Sequence, residues 1–241
     1  LGDIVVGNGS ANTINVFRNF GSSFSAQPGI AVPSTPTSIT LGNINGDGFL
    51  DAVVGSSASN TVAVLQNNQA GSLFSASTIT LPSGAVASDV LLASFNNVIS
   101  LAVANNPGFS VLFYQGNGSG GFTLAQTVTG ISNASKLAAG DFSGDGVTDL
   151  AVSNGKSHAV TVLPGSRNNF PTPFTTTGPA FTAGPICTYL TAADFNDDGK
   201  VDLAVANSFG GSPTVTVAQN QSTPVGYFVT SSGPGVGSLI T

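Results

Sequence analysis

The sequence repeats itself five times, and this repeat limits the chain to folds that are assembled from similar units. Its clearest marker is a short segment that recurs every 48 to 53 residues: DIVVGN from Asp3, DAVVGS from Asp51, SLAVAN from Ser100, DLAVSN from Asp149 and DLAVAN from Asp202. A second apolar segment follows each copy, and then a turn rich in Gly or Asn that ends in Phe. Three markers in a fixed order indicate a true structural repeat.

Each repeat predicts a small β-sheet. Its segments are short, rich in Val, Thr, Ile and Phe, and bounded by Gly, Asn, Ser and Pro, which is typical of consecutive strands. The segments HAVTVLPG and PTVTVAQN alternate with a period of two, and no window shows an apolar stripe of helical period. Four strands in about 49 residues are the size of one β-propeller blade.

We therefore expect an all-β fold, a single β-propeller domain over residues 1–241 with about five four-stranded blades. The repeats run roughly over 1–40, 41–90, 91–138, 139–191 and 192–241. The C-terminal GSLIT resembles TSIT before Leu41, so pairing of the N- and C-terminal strands would close the ring and protect its edges. Five blades of a longer ring would give the same match, and both alternatives stay open.

The charges are few and concentrated. Only 7% of the 241 residues are charged, all eleven acids are Asp, and nine of them fall within residues 43–51, 141–149 and 194–202. The net charge of −6 and the dispersed Lys and Arg residues argue against a nucleic-acid partner. The single cysteine, Cys187, allows no internal disulfide.

The three acidic windows share one pattern, NINGDGFLD, DFSGDGVTD and DFNDDGKVD. Side chains with oxygen atoms stand at positions 1, 3, 5 and 9, and Gly stands at position 6. Calcium takes six to eight oxygen ligands, and a Gly at position 6 permits the sharp turn that brings odd positions together. Position 7 then contributes its backbone carbonyl. The pattern predicts calcium-binding loops.

The loop followed by LDAVVG, TDLAVS or VDLAVA, together with the Gly-rich turn and its Phe, resembles the FG-GAP/VCBS repeats of integrin-α-like β-propellers. The resemblance spans essentially the whole chain. It implies four-stranded blades with calcium in the loop that joins the first two strands of several blades. Seven blades are typical of that family, whereas five repeats are present here.

The resemblance also implies a ligand set for each loop. The expected ligands are Asn43, Asn45, Asp47, Phe49 and Asp51 in the first loop; Asp141, Ser143, Asp145, Val147 and Asp149 in the second; and Asp194, Asn196, Asp198, Lys200 and Asp202 in the third. Phe49, Val147 and Lys200 would bind through their carbonyl oxygens, and Asp197 at position 4 points outward. We expect Ca²⁺ in the second and third loops and a weaker third site at 43–51, which offers two formal charges. The alternative is a cluster of Asx-turns without metal.

Catalysis is not expected. The chain has no Glu and a single histidine, His158, so paired carboxylates and a catalytic dyad lack candidates. No phosphate-binding glycine loop, zinc cluster or nucleophile elbow is present. An ordinary turn residue is the simpler interpretation of His158.

Two non-enzymatic functions therefore remain. The first is an extracellular or cell-surface adhesion and recognition module for a protein or glycan, although the lack of Trp weakens a lectin role. The second is a self-assembling structural subunit of a surface layer or filament, which the low charge would suit. No apolar run is long enough for a transmembrane helix. Four Asn-x-Ser/Thr sequons, at Asn8, Asn117, Asn133 and Asn220, fit an exposed glycoprotein but are also expected by chance.

Overall fold

A computed structural model describes residues 1–67, 73–155, 158–167, 172–174, 180–184, 186–208, 213–221 and 229–231; for 74–76 and 229–231 it describes the backbone. The described residues form twenty strands in five four-stranded antiparallel sheets. The predicted all-β, propeller-like fold is confirmed. The pairing predicted for GSLIT, residues 237–241, and the turn markers at Phe170 and Phe228 lie outside the described residues.

The sheets follow one another along the chain. Sheet 1 contains β1 (Ile4–Asn8), β2 (Thr13–Asn19), β3 (Phe24–Ala26) and β4 (Ile30–Ala31). Sheet 2 contains β5 (Pro36–Gly42), β6 (Asp51–Ser56), β7 (Thr61–Asn67) and β8 (Leu73–Thr80). Sheet 3 contains β9 (Ala87–Phe95), β10 (Val98–Asn105), β11 (Ser110–Gly116) and β12 (Phe122–Thr129). Sheet 4 contains β13 (Ala134–Gly140), β14 (Asp149–Asn154), β15 (Ala159–Leu163) and β16 (Ala180–Thr182). Sheet 5 contains β17 (Cys187–Ala193), β18 (Asp202–Asn207), β19 (Thr214–Gln219) and β20 (Val229–Ser231).

Sheets 2 to 5 are simple meanders in which each strand pairs with the next one in the chain. Sheet 1 differs, because β3 and β4 both pair with β2 and β1 stands at its edge. The predicted repeats do not coincide with the sheets. Their boundaries, after residues 40, 90, 138 and 191, fall inside the first strands β5, β9, β13 and β17, so each of these strands is divided between two sequence repeats.

The core lies between the sheets. Four clusters of buried apolar side chains each join one sheet to the next, so no sheet has a core of its own. The second strands β6 and β14 are buried along their whole length, which explains their continuous apolar sequences. Between sheets 3 and 4, the rings of Phe95, Phe113 and Phe174 pack edge to face with centroids 5.2–5.3 Å apart.

Small residues allow the sheets to approach one another closely. A Cβ atom on Gly55 in β6 would lie 2.9 Å from Cγ1 of Val90 in β9 of the next sheet. The first strands make most of the remaining contacts, since β5 packs on β9, β9 on β13 and β13 on β17. These first strands, which we call the inner strands, place the acidic loops at the same end of the sheets.

Candidate metal-binding loops

The three acidic loops occupy the same place in the fold. Residues 43–51 join β5 to β6, residues 141–149 join β13 to β14, and residues 194–202 join β17 to β18. In sheet 3 the corresponding connection is a two-residue turn of Asn96 and Asn97, both with positive φ. This short turn carries no acidic side chain.

The loops share one backbone conformation. Positions 4 and 6 have left-handed φ in all three: 76° and 88° at Gly46 and Gly48, 75° and 76° at Gly144 and Gly146, and 59° and 81° at Asp197 and Gly199. Asp is among the few residues other than Gly that tolerate this conformation. Asp197 at position 4 is exposed, in agreement with its predicted outward direction.

The side chain at position 1 accepts hydrogen bonds from backbone N–H groups of its own loop. In the second loop, Oδ1 of Asp141 accepts the backbone N–H of Gly144 at 2.7 Å, and Oδ2 accepts that of Gly146 at 2.8 Å. Asp194 accepts the N–H groups of Asp198 and Gly199 in the same way. These are the bonds of an Asx-turn cluster, so the alternative that needs no metal describes part of the loop structure.

The side chains at the odd positions contact one another inside each loop. Nδ2 of Asn45 donates to Oδ2 of Asp47 at 3.1 Å, and Nδ2 of Asn196 donates to Oδ2 of Asp198 at the same distance. In the second loop, the hydroxyl of Ser143 donates to Asp141 at 3.5 Å. The position 5 carboxylates also accept the N–H of position 7, at 2.8–2.9 Å, from Phe49, Val147 and Lys200. Each loop therefore gathers several oxygen atoms in a small volume.

Position 9 has a structural role that the sequence interpretation missed. Asp51, Asp149 and Asp202 are fully buried at the start of a second strand. One carboxylate oxygen of each accepts the N–H of position 2, from Ile44, Phe142 and Phe195 respectively. The other oxygen accepts an N–H from the end of the third strand or just beyond it, at Asn67, Gly165 and Asn220. Each of these carboxylates thus connects its loop to the end of the third strand of the same sheet.

The same bond recurs in the two sheets that lack a described acidic loop. Asp3 accepts the N–H of Asn19 at 2.8 Å, and Ser100 accepts that of Gly116 at 3.4 Å. The first residue of the repeated six-residue segment is thus an acceptor in all five sheets. Asp3 was the sequence signal for this role, because it starts the first copy of the segment outside the three acidic windows.

Two of the loop carboxyl groups have shifted pKa values. Burial raises the pKa of Asp149, and the N–H groups of Gly165 and Ser143 offset part of that rise. For Asp194, desolvation acts in the same direction, but backbone N–H groups from Gly199, Asp198 and Asn196 outweigh it and lower the pKa.

The donor set suits a hard cation, because every candidate ligand presents oxygen. Within the described residues, no group of three or more Asp, His or Cys side chains is arranged to hold a metal by itself. A metal ion would therefore also need the amide oxygens of Asn43, Asn45 and Asn196, the hydroxyl of Ser143 and the carbonyls at position 7. Calcium accepts such mixed oxygen ligands.

Of the remaining residues noted in the sequence, His158 and Cys187 lie apart from the loops, whereas Asn220 contacts two of them. His158 is an exposed turn residue between β14 and β15 with a φ of 55°. Cys187 is half-buried and its thiol donates to the carbonyl of Tyr189 at 3.2 Å. Asn220 is a buried sequon residue whose amide donates to the carbonyl of Phe142 at 2.9 Å, so its side chain is not available for glycosylation in the folded protein. None of the described segments forms a helix with the length and apolar character that a membrane crossing requires.

Five successive four-stranded sheets, three of them with such a loop between the first and second strands, define a protein of the β-propeller class. Residues 35–74 match the FG-GAP repeat, and residues 98–152 match the FG-GAP-like repeat. Both segments thus match the FG-GAP repeat family, which confirms the resemblance drawn from the motifs of the chain. That family is typically non-enzymatic and is found mainly in extracellular or cell-surface proteins.

Solved structures support the fold. A protein from Lactobacillus plantarum is 15% identical, with a TM-score of 0.69, and the match covers 95% of this chain and 66% of that one. A functionally unknown protein from Desulfotomaculum acetoxidans is 13% identical, with a TM-score of 0.66 and coverage of 90% and 61%. A Bacteroides uniformis protein, provisionally named a 6-phosphogluconolactonase, is 14% identical, with a TM-score of 0.68 and coverage of 95% and 66%. The chain thus spans less than two thirds of these structures, and at such identities they show the fold alone. No curated protein matches the sequence.

Proposed function

We propose that the chain is an extracellular, non-enzymatic calcium-binding β-propeller that recognises a protein or glycan partner. Calcium binds in the loops 141–149 and 194–202 and, more weakly, in the loop 43–51. The bound ions order one end of the sheets, and the partner binds to the surface that this order creates.

The observation that carries the calcium proposal is the shared geometry of the three loops. Each has left-handed backbone at positions 4 and 6 and oxygen-bearing side chains in contact at odd positions. Position 9 has a structural role of its own, but a cluster of Asx-turns alone would not require carboxylates at both positions 1 and 5 in two loops, since Asn also forms Asx-turns. A bound Ca²⁺ would offset the repulsion between neighbouring carboxylates of one loop, such as Asp145 and Asp149.

Isothermal titration calorimetry with Ca²⁺ tests this proposal. Two strong sites and one weaker site are expected in the wild-type protein. Asp198→Asn, at position 5 of the third loop, should remove one strong site. Asp197→Asn is the matched control, because Asp197 is a neighbouring exposed residue at a position where Asn also tolerates the backbone conformation. Absence of calcium heat in the wild-type protein, or equal losses in the two variants, would contradict the proposed sites.

Recognition is tested separately with an array of glycans and matrix proteins. The array is run in millimolar calcium and again in chelator, and light scattering gives the mass of the sample. Saturable, calcium-dependent binding by a monomer is expected. If the chelator leaves partner binding unchanged, recognition does not depend on calcium, and that part of the proposal is wrong.

One observation favours the second candidate, a self-assembling structural subunit. Sheet 5 exposes the face that the preceding sheets bury against their successors. Val215 is 47% exposed, whereas its equivalents Val62, Val111 and Val160 are fully buried. Phe195 at position 2 of its loop is 43% exposed, whereas Ile44 and Phe142 are buried at 3% and 2%. A mass that rises with protein concentration, without binding on the array, would support this function instead.

A further inference from the structure

The inner strands of sheets 2 to 5 share a β-bulge. In each of them the pairing with the second strand skips one residue, and the skipped residues are Thr37, Ser88, Ser135 and Thr188. A bulge redirects the side chain next to it and is common beside binding sites. Here the bulge occurs at the same point in four successive sheets. It is therefore a regular feature of the surface that the inner strands form, which we call the inner wall.

The bulged residue carries a hydroxyl in each of these four sheets, and the hydrogen bonds of that hydroxyl give it a structural role. The hydroxyl of Thr37 donates to the carbonyls of Gly55 in its own sheet and Ala87 in the next sheet, at 3.2 and 3.1 Å. Ser88 repeats this with Ala104 and Ala134, both at 2.9 Å. The hydroxyls of Thr37 and Ser88 thus hold neighbouring sheets together, whereas those of Ser135 and Thr188 bond within their own sheets.

The residue after the bulge differs in every sheet. It is Ser38, Asp89, Lys136 and Tyr189 in sheets 2 to 5 respectively. All four line one cavity of about 460 Å³, which we call the inner cavity, among the strands β5, β9, β13 and β17. The bulged position always carries a hydroxyl that makes structural hydrogen bonds. The position after it varies, so it determines which polar groups the cavity offers to a ligand.

Asp89 and Lys136 form a fixed polar pair in this wall. The Asp89 carboxylate accepts the hydroxyl of Ser38 and, at 2.9 Å, the N–H of Leu137, so sheets on both sides hold it in place. Lys136 Nζ lies 4.0 Å from Asp89 Oδ1, and the two side chains are only 25% and 14% exposed. Their opposite charges balance, so the wall offers hydrogen-bond donors and acceptors without net charge. Such a surface suits a neutral ligand with many hydroxyl groups better than an ion.

Tyr189 supplies an aromatic surface beside this pair. It is 63% exposed, whereas Tyr114 is almost fully buried in the core between sheets 2 and 3. An exposed ring with a hydroxyl at its edge can pack on the apolar face of a sugar ring and also form a hydrogen bond. Of the tyrosines that the structure describes, Tyr189 is thus the one placed for stacking.

We infer that the inner cavity binds a neutral sugar unit. The ring stacks on Tyr189, and its hydroxyl groups bond with Asp89 and Lys136. The volume of the cavity falls in the range of small-molecule sites, roughly 300–1,000 Å³. This inference rests on the proposed recognition function, which it makes more specific by naming the site and the ligand class.

Saturation-transfer NMR and calorimetry with glucose, galactose, mannose, N-acetylglucosamine and their short oligosaccharides test the inference. Tyr189→Ala should weaken sugar binding about tenfold, whereas Tyr189→Phe, which keeps the ring, should retain most of it. Phe24→Ala is the control, because it removes another half-exposed aromatic ring in sheet 1, away from the inner cavity. Lys136→Gln is a second variant that removes the cationic donor and keeps most of the side chain. Unchanged melting temperatures establish that the variants are folded.

The outcomes distinguish this inference from the calcium proposal. Calcium heat without binding of any neutral sugar overturns the inner-cavity site and leaves the calcium module standing. Sugar binding that survives in Tyr189→Ala and Lys136→Gln also overturns it, as does preference for acidic sugars. Sugar binding that only these variants lose supports the site, even if the wild-type protein shows no calcium heat.

Discussion

The carboxylate of Asp51 bonds at once to two distant parts of its sheet: Oδ1 accepts the N–H of Asn67 at 2.8 Å, and Oδ2 accepts that of Ile44 at 3.0 Å. Asn67 is the last residue of β7 and Ile44 lies in the acidic loop. One buried side chain therefore fixes the loop relative to the end of the third strand. Asp149 and Asp202 repeat the arrangement. The residue therefore supports the loop whether or not a metal is bound.

Removal of this carboxylate should be costly even without calcium. Asp149→Ala leaves the N–H groups of Phe142, Ser143 and Gly165 without their acceptor. At about 1–3 kcal/mol for each buried unsatisfied group, the free energy of unfolding should fall by at least about 3 kcal/mol. Urea denaturation in excess chelator measures it, since the chelator removes any contribution from metal.

Ser100→Ala is the matched control for that measurement. Ser100 occupies the same place in sheet 3, but its hydroxyl accepts a single N–H at 3.4 Å. Loss of this hydroxyl should lower the free energy of unfolding by only about 1 kcal/mol. Equal effects of the two substitutions would mean that the bonds of Asp149 do not determine the stability of its loop.

Chelation should destabilise the wild-type protein. A ligand that binds the folded state alone stabilises it by about 3–4 kcal/mol for each site at free concentrations 100–1,000 times its dissociation constant. The melting temperature, followed by calorimetry in millimolar Ca²⁺ and in chelator, should therefore fall when calcium is removed. Magnesium added to the chelated protein is the control for a general ionic effect. A melting curve that chelator leaves unchanged would contradict calcium binding in all three loops.

Acidification should release calcium from the second loop before the third. Calcium binds the ionised carboxylates, so a ligand with a raised pKa loses the ion at a higher pH. The pKa of Asp149 is raised by burial, whereas that of Asp194 is lowered by backbone N–H groups. Calcium titrations of Asp145→Asn and Asp198→Asn at decreasing pH report mainly the third and second loops respectively. The reverse order of release would contradict the assignment.

The sequence predicted the parts of the fold that depend on local patterns. Repeated apolar segments with turn residues between them predicted four-stranded sheets, and oxygen-bearing side chains with Gly at position 6 predicted the three loops. Those loops have the expected left-handed conformation at Gly48, Gly146 and Gly199. Both patterns are set by neighbours in the chain, so the sequence displays them directly.

The parts that it did not predict depend on contacts between distant residues. The boundaries of the predicted repeats fall inside the first strands of sheets 2 to 5, because the acidic loop is more visible in a sequence than the edge of a sheet. The second role of Asp51, Asp149 and Asp202 was missed because their partners lie 16 to 18 residues away. The inner cavity was missed because Asp89, Lys136 and Tyr189 come from three different sheets.

The glycines that donate to the first residue of the repeated six-residue segment in sheets 3 and 4 should tolerate no side chain. Gly116 and Gly165 donate their N–H groups to Ser100 and Asp149. A Cβ atom on Gly116 would lie 2.0 Å from the carbonyl oxygen of Ile99, and one on Gly165 would lie 2.3 Å from that of Thr148. Because these obstacles are backbone atoms, the strands themselves must move apart. Gly116→Ala should therefore lower the free energy of unfolding by about 1–3 kcal/mol or more. Gly155→Ala is the control, since its Cβ would meet only ordinary contacts at 3.6 Å or more, and equal urea denaturation midpoints for the two variants would contradict the close approach.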